Sequence, residues 1–173
     1  METIYIVLII VGVLALLIIA LFNALIRLRN QVKNSFAQID VQLKRRNDLI
    51  PNLVSAVKGY MKHEREVLEN VTKARTAVMD AGSVADKSKA SGELTNTLKS
   101  LFAVAENYPD LKANQNFLQL QEEITGTENK ISYARQHYND MVMRFNTKIE
   151  TFPNNMFANM LGFNQEDSFE ATE

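Results

Sequence analysis

The sequence predicts an all-α protein in which a single N-terminal transmembrane helix is followed by an elongated antiparallel bundle of long helices. Residues 4–22 form a run of 19 uncharged residues, 15 of which are Leu, Ile, Val or Phe. In the rest of the chain, apolar residues recur every three or four positions, and no alternation with a period of two persists. The chain also has only six Gly and three Pro in 173 residues, which argues against a loop-rich or all-β fold.

The composition excludes several functional classes. Nineteen basic and 20 acidic residues give a net charge of −1, so the chain as a whole is not a strongly basic nucleic-acid binder. Because it has no cysteine, it cannot form disulfides, thiolate zinc sites or Fe–S clusters, use thiol catalysis or carry a cysteine-linked lipid anchor.

The apolar run predicts an uncleaved membrane anchor over residues 1–26. Nineteen helical residues span roughly 28 Å, which suits a hydrocarbon core of ~30 Å. The run is too long for the apolar region of a signal peptide, no basic residue precedes it, and no small-residue cleavage site follows it. A buried core helix and an atypical signal peptide are the alternatives.

Basic residues near the span predict its orientation. None precedes it, whereas Arg27, Arg29 and Lys33 follow it as membrane-flanking bases. The positive-inside rule therefore predicts a single-pass inner-membrane protein with its N-terminus outside and its C-terminal domain in the cytoplasm.

Residues 27–163 are predicted to form the helical bundle. The anchor helix continues along a narrow apolar seam to a kink or break near residues 48–52, because Pro51 removes a helical hydrogen bond. Further helices are predicted at about 52–80, 93–107 and 116–150, with a Gly/Ser/Ala-rich loop or frayed turn at 81–92. A short turn over 155–161 should end at Gly162 as a C-cap.

The last ten residues, 164–173, are predicted to be a disordered acidic tail that is dispensable for folding. They carry four acids and no base, and they lack a sustained apolar pattern. Such a segment buries too little surface to offset the entropy lost on ordering.

A search for chemistry finds no catalytic, cofactor-binding or metal-ligating residues. His63-Glu64 resembles the start of H-E-x-x-H, but Val67 stands where the second His would be. His137 has no partner nearby in the sequence, and neither a glycine-rich phosphate loop nor a G-x-S-x-G motif occurs. We therefore expect no enzymatic activity, no cofactor, and no essential role for either histidine.

The most charged stretch lies between Arg27 and Arg46, with six bases and one acid. Three interpretations of this stretch are open: a solvated basic helix, binding of lipid headgroups, and pairing with acids of another helix or subunit. Nucleic acid binding is disfavoured because no platform of aromatic residues is interleaved with the bases and the stretch matches no recognised nucleic-acid-binding module. In a straight helix Arg45 lies roughly 27 Å beyond Arg27, far outside the ~8 Å screening length of physiological salt. The sequence thus predicts protein contacts for four residues: Lys44, Arg45, Arg46 and Asp48.

Several motifs resemble the LemA family. The match covers nearly the whole chain, and its first motif, residues 40–54 (DVQLKRRNDLIPNLV) followed by 57–60 (VKGY) and His63-Glu64, is specific. The other matching positions are 106–113 (ENYPDLKA) with Asn116-Phe117, Glu128, Arg135, Tyr138-Asn139, Phe152-Pro153 and Gly162-Phe163. The resemblance implies a single N-terminal anchor and a bundle of long helices. It supplies no catalytic residue. Some relatives are thought to be lipid-anchored outside the cytoplasm, for which this chain lacks the cysteine.

Together these observations predict a LemA-type, membrane-anchored, non-enzymatic scaffold or interaction protein. We expect it to self-associate as a homo-oligomer at the inner face of the bacterial membrane, with lipid contacts through the N-terminal helix and no nucleic acid. Contacts with other membrane proteins are possible. The alternative is an adaptor for membrane-protein quality control or envelope signalling.

Overall fold

The computed structural model describes residues 1–61 and 63–170, and within these ranges every regular element is helical. The elements are α1 (Glu2–Lys58), α2 (Arg65–Asp80), α3 (Val84–Ala105), α4 (Pro109–Lys112), α5 (Gln115–Glu150) and a 3₁₀ turn (Asn154–Met156). The predicted all-α class is confirmed.

The chain divides into two compact units. The first contains residues 1–35 and 140–166, and the second contains residues 36–139 together with the chain from Asp167 onward.

The first unit holds the apolar start of α1, which is long and apolar enough to cross a membrane. Its large side chains between Ile4 and Ile19 are exposed, at 38–69% of their maximum. Elsewhere in the unit, Leu25 of α1 and Phe145 of α5 are buried. The ring centroid of Phe163 lies 5.6 Å from that of Phe22 and 6.4 Å from that of Phe145. The unit therefore combines a fully exposed apolar helix with a small aromatic core.

The predicted C-cap at Gly162 is confirmed. Gly162 has a φ of +77°, a conformation that an L side chain rarely adopts. The amide of Phe163 donates to the carbonyl of Ala158 at 2.9 Å, and that of Gly162 donates to Asn159 at 3.2 Å. This is the Schellman pattern, and it turns the chain so that Phe163 enters the core.

The second unit has a continuous apolar core. Its members come from all five helices and are less than 9% exposed: Ile39, Leu43, Ile50, Leu53, Val57, Val71, Ala74, Val78, Leu94, Leu98, Leu101, Leu111, Phe117, Leu120, Ile124, Ile131 and Tyr138.

For the kink or break predicted near residues 48–52, the break is wrong, and so is the new helix predicted from about residue 52. Helix α1 continues through Pro51 to Lys58, and α2 begins only at Arg65. The missing amide hydrogen of Pro51 leaves the carbonyl of Asn47 without its helical donor. Arg75 of α2 replaces it, because its Nε donates to that carbonyl at 2.9 Å. A tertiary contact thus satisfies the acceptor that proline orphans.

Helix α3 begins at Val84, so the predicted loop at 81–92 and a helix start at residue 93 are also wrong. Ser83 caps the helix: its Oγ accepts from the amide of Asp86 at 3.0 Å and donates to the Asp86 carboxylate at 2.6 Å. Ser88, Ala90 and Ser91 are buried in the added turns. These three small side chains, which in the sequence indicate a loop, instead face the interior of the unit. The long helix predicted at 116–150 is found as α5.

The structure also differs from the predicted disordered tail. Residues 164–170, here called the C-terminal segment, lack regular secondary structure but dock through Phe169, which is 2% exposed. The remainder of the predicted tail, residues 171–173, lies outside the described residues.

Candidate functional site: a buried arginine and the groove beside it

The structure separates the four residues predicted to make protein contacts. Lys44, Arg45 and Asp48 are exposed on α1, whereas Arg46 is 0% exposed in the interior of the second unit. Contacts of the three exposed residues with a partner stay a prediction.

Arg46 is held by groups from α3 and α5. Its Nη1 forms an ion pair with Glu128 and donates to Thr95 Oγ1 at 3.0 Å. Its Nη2 donates to Ser91 Oγ at 2.9 Å and to the Ser91 carbonyl at 3.3 Å. Arg46 Nε has no hydrogen-bond partner among the described residues. One side chain of α1 therefore links three helices.

The electrostatics of Arg46 reflect two opposing effects. Burial lowers the pKa of its guanidinium, because desolvation disfavours the charged form, while the charge of Glu128 and their hydrogen bond raise it. An arginine is not deprotonated in proteins. A cation therefore lies in the core, and Glu128, whose side chain is 37% exposed, is its counterion.

Glu128 is engaged at both oxygens. Oε2 pairs with Arg46, and Oε1 lies 3.1 Å from the hydroxyl of Thr95. Through these contacts Glu128 of α5 joins Arg46 of α1 and Thr95 of α3.

A groove of about 280 Å³ opens beside this cluster between α3 and α5. Its lining includes Glu128, two further charged residues (Lys99 and Arg135) and the aromatic ring of Phe169. Polar residues supply most of the remaining wall: Ser88, Ser91, Thr95, Asn96, Asn129 and Ser132. Because Glu128 is already paired with Arg46, the two bases leave the groove with an excess of positive charge.

The C-terminal segment docks beside this groove through its backbone. The amide of Phe169 donates to Asn139 Oδ1 at 2.8 Å, and Asn139 Nδ2 donates back to the Phe169 carbonyl at 3.0 Å. The hydroxyl of Tyr138 donates to the Asp167 carbonyl at 2.7 Å, and that of Ser88 donates to Glu170 at 2.6 Å. These bonds pair backbone groups that water would otherwise satisfy.

The first unit contains a second reciprocal contact between an asparagine of α5 and the backbone of the C-terminal segment. Asn146 Nδ2 donates to the Glu166 carbonyl at 2.9 Å, and the Glu166 amide donates to Asn146 Oδ1 at 2.9 Å. Each of the two asparagine amides therefore forms a reciprocal pair with one residue of the C-terminal segment. These pairs, together with Phe169, explain why a polar, acidic sequence is ordered.

A larger groove of the second unit lies elsewhere, between the end of α1 and α2. It measures about 640 Å³ and has Val54, Met61 and Leu68 in its lining. None of the polar contacts of Arg46 reaches it, so its size alone does not make it the candidate site.

The remaining sequence-derived candidates lie on the surface. His63 and His137 are exposed, and no group of three His, Cys, Asp or Glu residues suited to a metal ion occurs in residues 1–61 and 63–170. Arg27 and Lys33 are exposed and Arg29 is half-buried in the first unit.

Sequence reasoning missed most of the partners of Arg46. The sequence places Ser91 in a predicted loop and Thr95 near the start of a predicted helix. No sequence pattern indicates that either residue contacts α1. The signal for the docked segment was Phe169, a lone large aromatic residue in an acidic stretch.

The contact between Arg75 and Asn47 gives a testable prediction. Replacing Arg75 with Met should lower the free energy of unfolding by about 1–3 kcal/mol, because the Asn47 carbonyl loses its donor in a buried position. Asn47 is only 6% exposed. In a Pro51→Ala background the loss should be smaller, because residue 51 then supplies a helical amide. Thermal unfolding followed by circular dichroism measures both, and equal losses in the two backgrounds would contradict the proposed exchange of donors.

Comparison with known proteins shows which family the sequence matches. A family model described as the LemA family matches residues 35–173. Protein LemA of Metamycoplasma hominis is 29% identical over 167 residues, which cover 94% of this chain and 75% of that protein.

More distant similarity links the chain to two magnetosome proteins. Magnetosome protein MamQ 2 of Paramagnetospirillum magneticum is 22% identical over 175 residues, and magnetosome protein MamQ of Magnetospirillum gryphiswaldense is 20% identical over 174 residues. In both cases the match covers 86% of this chain and 64% of the relative. The chain therefore spans less than two thirds of these magnetosome proteins.

Proposed function

This chain belongs to the LemA family, and from that premise we propose that it is a membrane-anchored, non-enzymatic scaffold that self-associates at the inner face of the bacterial membrane. The observation that carries the proposal is that α1 is one continuous helix. One helix contains an exposed apolar segment of membrane-spanning length and also supplies core residues such as Ile39, Leu43 and Leu53 to the second unit. Such a helix couples a membrane anchor directly to a folded interaction domain.

Self-association is supported by an unpartnered face of α1 and α5 in the second unit. Val41 is 62% exposed and Tyr133 is 74% exposed, and both line a shallow groove of about 480 Å³. Within the described residues, Gln42 Oε1 in the same groove has no hydrogen-bond partner. Large exposed apolar side chains beside an unpaired buried acceptor are typical of a surface that another protein covers.

The proposed occupant of this face is a second copy of the chain. Anchoring confines copies to one plane with a common orientation, which raises their effective concentration. Identical faces can then meet in a symmetric contact, the commonest arrangement among homo-oligomers.

Single-cysteine cross-linking tests self-association, because the chain has no native cysteine. Full-length Val41→Cys and Tyr133→Cys variants, oxidised in membranes, should form disulfide-linked dimers. Met79→Cys, on α2 and 60% exposed, is the matched control and should stay monomeric. Cross-linking of the control alone would contradict the proposed face. A protein that stays monomeric at every concentration but captures one membrane protein would favour the adaptor alternative.

The non-enzymatic part of the proposal is supported by the chemistry of the candidate site. Its only acid, Glu128, is the counterion of Arg46 and accepts from Thr95. The two histidines are exposed and far apart in the sequence. Glu128 therefore stabilises the charge of Arg46, and the lining of the groove contains no second carboxylate with which it could divide acid and base roles.

Orientation of the anchor is a further prediction. A reporter that is active only in the cytoplasm, fused after Glu173, should give signal because Arg27, Arg29 and Lys33 follow the span and no base precedes it. A reporter active only outside the cytoplasm, fused at the same position, should be silent. The reverse result would place the bundle on the other side of the membrane.

A further inference from the structure

The first unit carries a second apolar surface, formed by residues 151–162 and here called the interfacial segment. No charged residue occurs between Glu150 and Glu166. Four large side chains of the segment project from the unit. Phe152 is 78% exposed, Met156 65%, Met160 77% and Leu161 37%.

The other side of the interfacial segment packs against the end of the apolar span. Phe157 and Leu161 line a small cavity together with four residues of α1: Ile18, Leu21, Phe22 and Leu25. Directly after the segment, the ring of Phe163 meets that of Phe22 at 5.6 Å. The exposed side chains therefore lie at the level of the last turns of the span.

Chain geometry fixes the depth of that level. Phe22 is the last residue before the polar Asn23, and Arg27, the first charged residue after the span, follows Phe22 by five residues, which is about 7.5 Å along a helix. The polar layer on each side of a bilayer has a similar thickness of roughly 5–7 Å. With Arg27 among the headgroups, residues 18–22 lie at the edge of the hydrocarbon, beside the interfacial segment.

We propose that the interfacial segment is a second lipid-binding element, whose residues Phe152, Met156, Met160 and Leu161 insert at the boundary between acyl chains and headgroups. This inference rests on the proposed membrane anchoring of α1. The apolar side chains between Ile4 and Ile19 are exposed, so the lipid that surrounds them also reaches the neighbouring segment at the same depth. Asn155 and Asn159, both exposed, provide amides for the polar layer.

Lipid is the favoured occupant because this surface continues an apolar surface that only a bilayer can cover along its whole length. In other proteins, amphipathic helices that lie in the membrane interface bury their apolar face ~5–10 Å into this boundary. The segment thus fixes the depth and rotation of α1 in the membrane.

Tryptophan fluorescence tests the proposal, because the chain has no native tryptophan. Full-length Met156→Trp and Met160→Trp variants are reconstituted in vesicles of equal parts phosphatidylcholine and phosphatidylglycerol. Ile10→Trp reports on the span, and Met79→Trp, exposed on α2, is the aqueous control. Lipids brominated near the headgroup end of the acyl chain should quench the emission at 156 and 160, lipids brominated near the end of the acyl chain should quench residue 10, and neither should affect residue 79. Acrylamide should quench residue 79 and spare 156 and 160.

The outcomes separate this inference from the anchor on which it rests. If lipid bromine quenches residue 10 while 156 and 160 stay accessible to acrylamide, the anchor stands and the interfacial segment does not bind lipid. If residue 10 is not quenched by lipid, the anchor itself fails. Shielding of 156 and 160 from both quenchers would mean that protein covers this surface, and would also overturn the proposal. Should Met156→Trp reduce helicity, Phe152→Trp replaces it, because that position is the most exposed of the four.

Discussion

Replacing Glu128 with Ala should lower the free energy of unfolding by about 3–5 kcal/mol, the cost of leaving a buried charge without its partner. Arg46 is 0% exposed, so its guanidinium would lose its counterion at a buried position. Thermal unfolding of the full-length protein in detergent micelles, followed by circular dichroism, measures the change.

Replacing the other member of the ion pair, Arg46, should lower the free energy of unfolding by less. Arg46→Met removes the cation and leaves Glu128, whose side chain is 37% exposed and can be hydrated. We expect a loss of about 1–3 kcal/mol, mainly from the unpaired groups at Ser91 and Thr95. In the double variant the two losses should not add, because each single change removes the same pair.

The neighbouring Arg45 is the matched control, because it is exposed on the same helix. Arg45→Met should change stability by no more than about 0.5 kcal/mol. If Arg46→Met and Arg45→Met were equally mild and Glu128→Ala had no effect, the buried ion pair would not contribute to the fold.

Truncation after Phe163 should destabilise the protein by about 3 kcal/mol, and Phe169→Ala alone should account for most of that loss. Phe169 is 2% exposed, and its backbone is paired with Asn139. For a domain of this size the change corresponds to a fall in Tm of roughly 6–12 °C.

Ser168→Ala provides the control within the same segment, because Ser168 is exposed. It should leave Tm unchanged while Phe169→Ala lowers it. An unchanged Tm after truncation would restore the original expectation, drawn from composition, that these residues are dispensable.

Sequence patterns predicted the features that depend on residues close together in the chain. The membrane-spanning run follows from hydrophobicity over 19 consecutive residues, and α5 follows from a helical period sustained over most of its 36 residues. Gly162 signals a C-cap by itself, since only glycine takes a positive φ without strain.

Local rules failed where a distant group changes the balance. Proline predicts a helix break because it orphans a carbonyl, yet Arg75, 28 residues away, supplies the missing donor. Serine and alanine between 84 and 92 are typical of a loop, yet Ser88, Ala90 and Ser91 are buried in the second unit.

The sequence by itself therefore determined the all-helical class, the apolar span and the family resemblance, because each is encoded in a one-dimensional pattern. Only the tertiary structure decided which base of the Lys44-Arg45-Arg46 cluster is buried and what it meets. Arg46 and Glu128 are 82 residues apart, and no periodicity relates them. The same holds for Phe169: a single aromatic residue has no period, and its docking depends on Asn139 and on the polar groove between α3 and α5. Contacts between distant segments are set by how whole helices pack, which no local window of sequence contains.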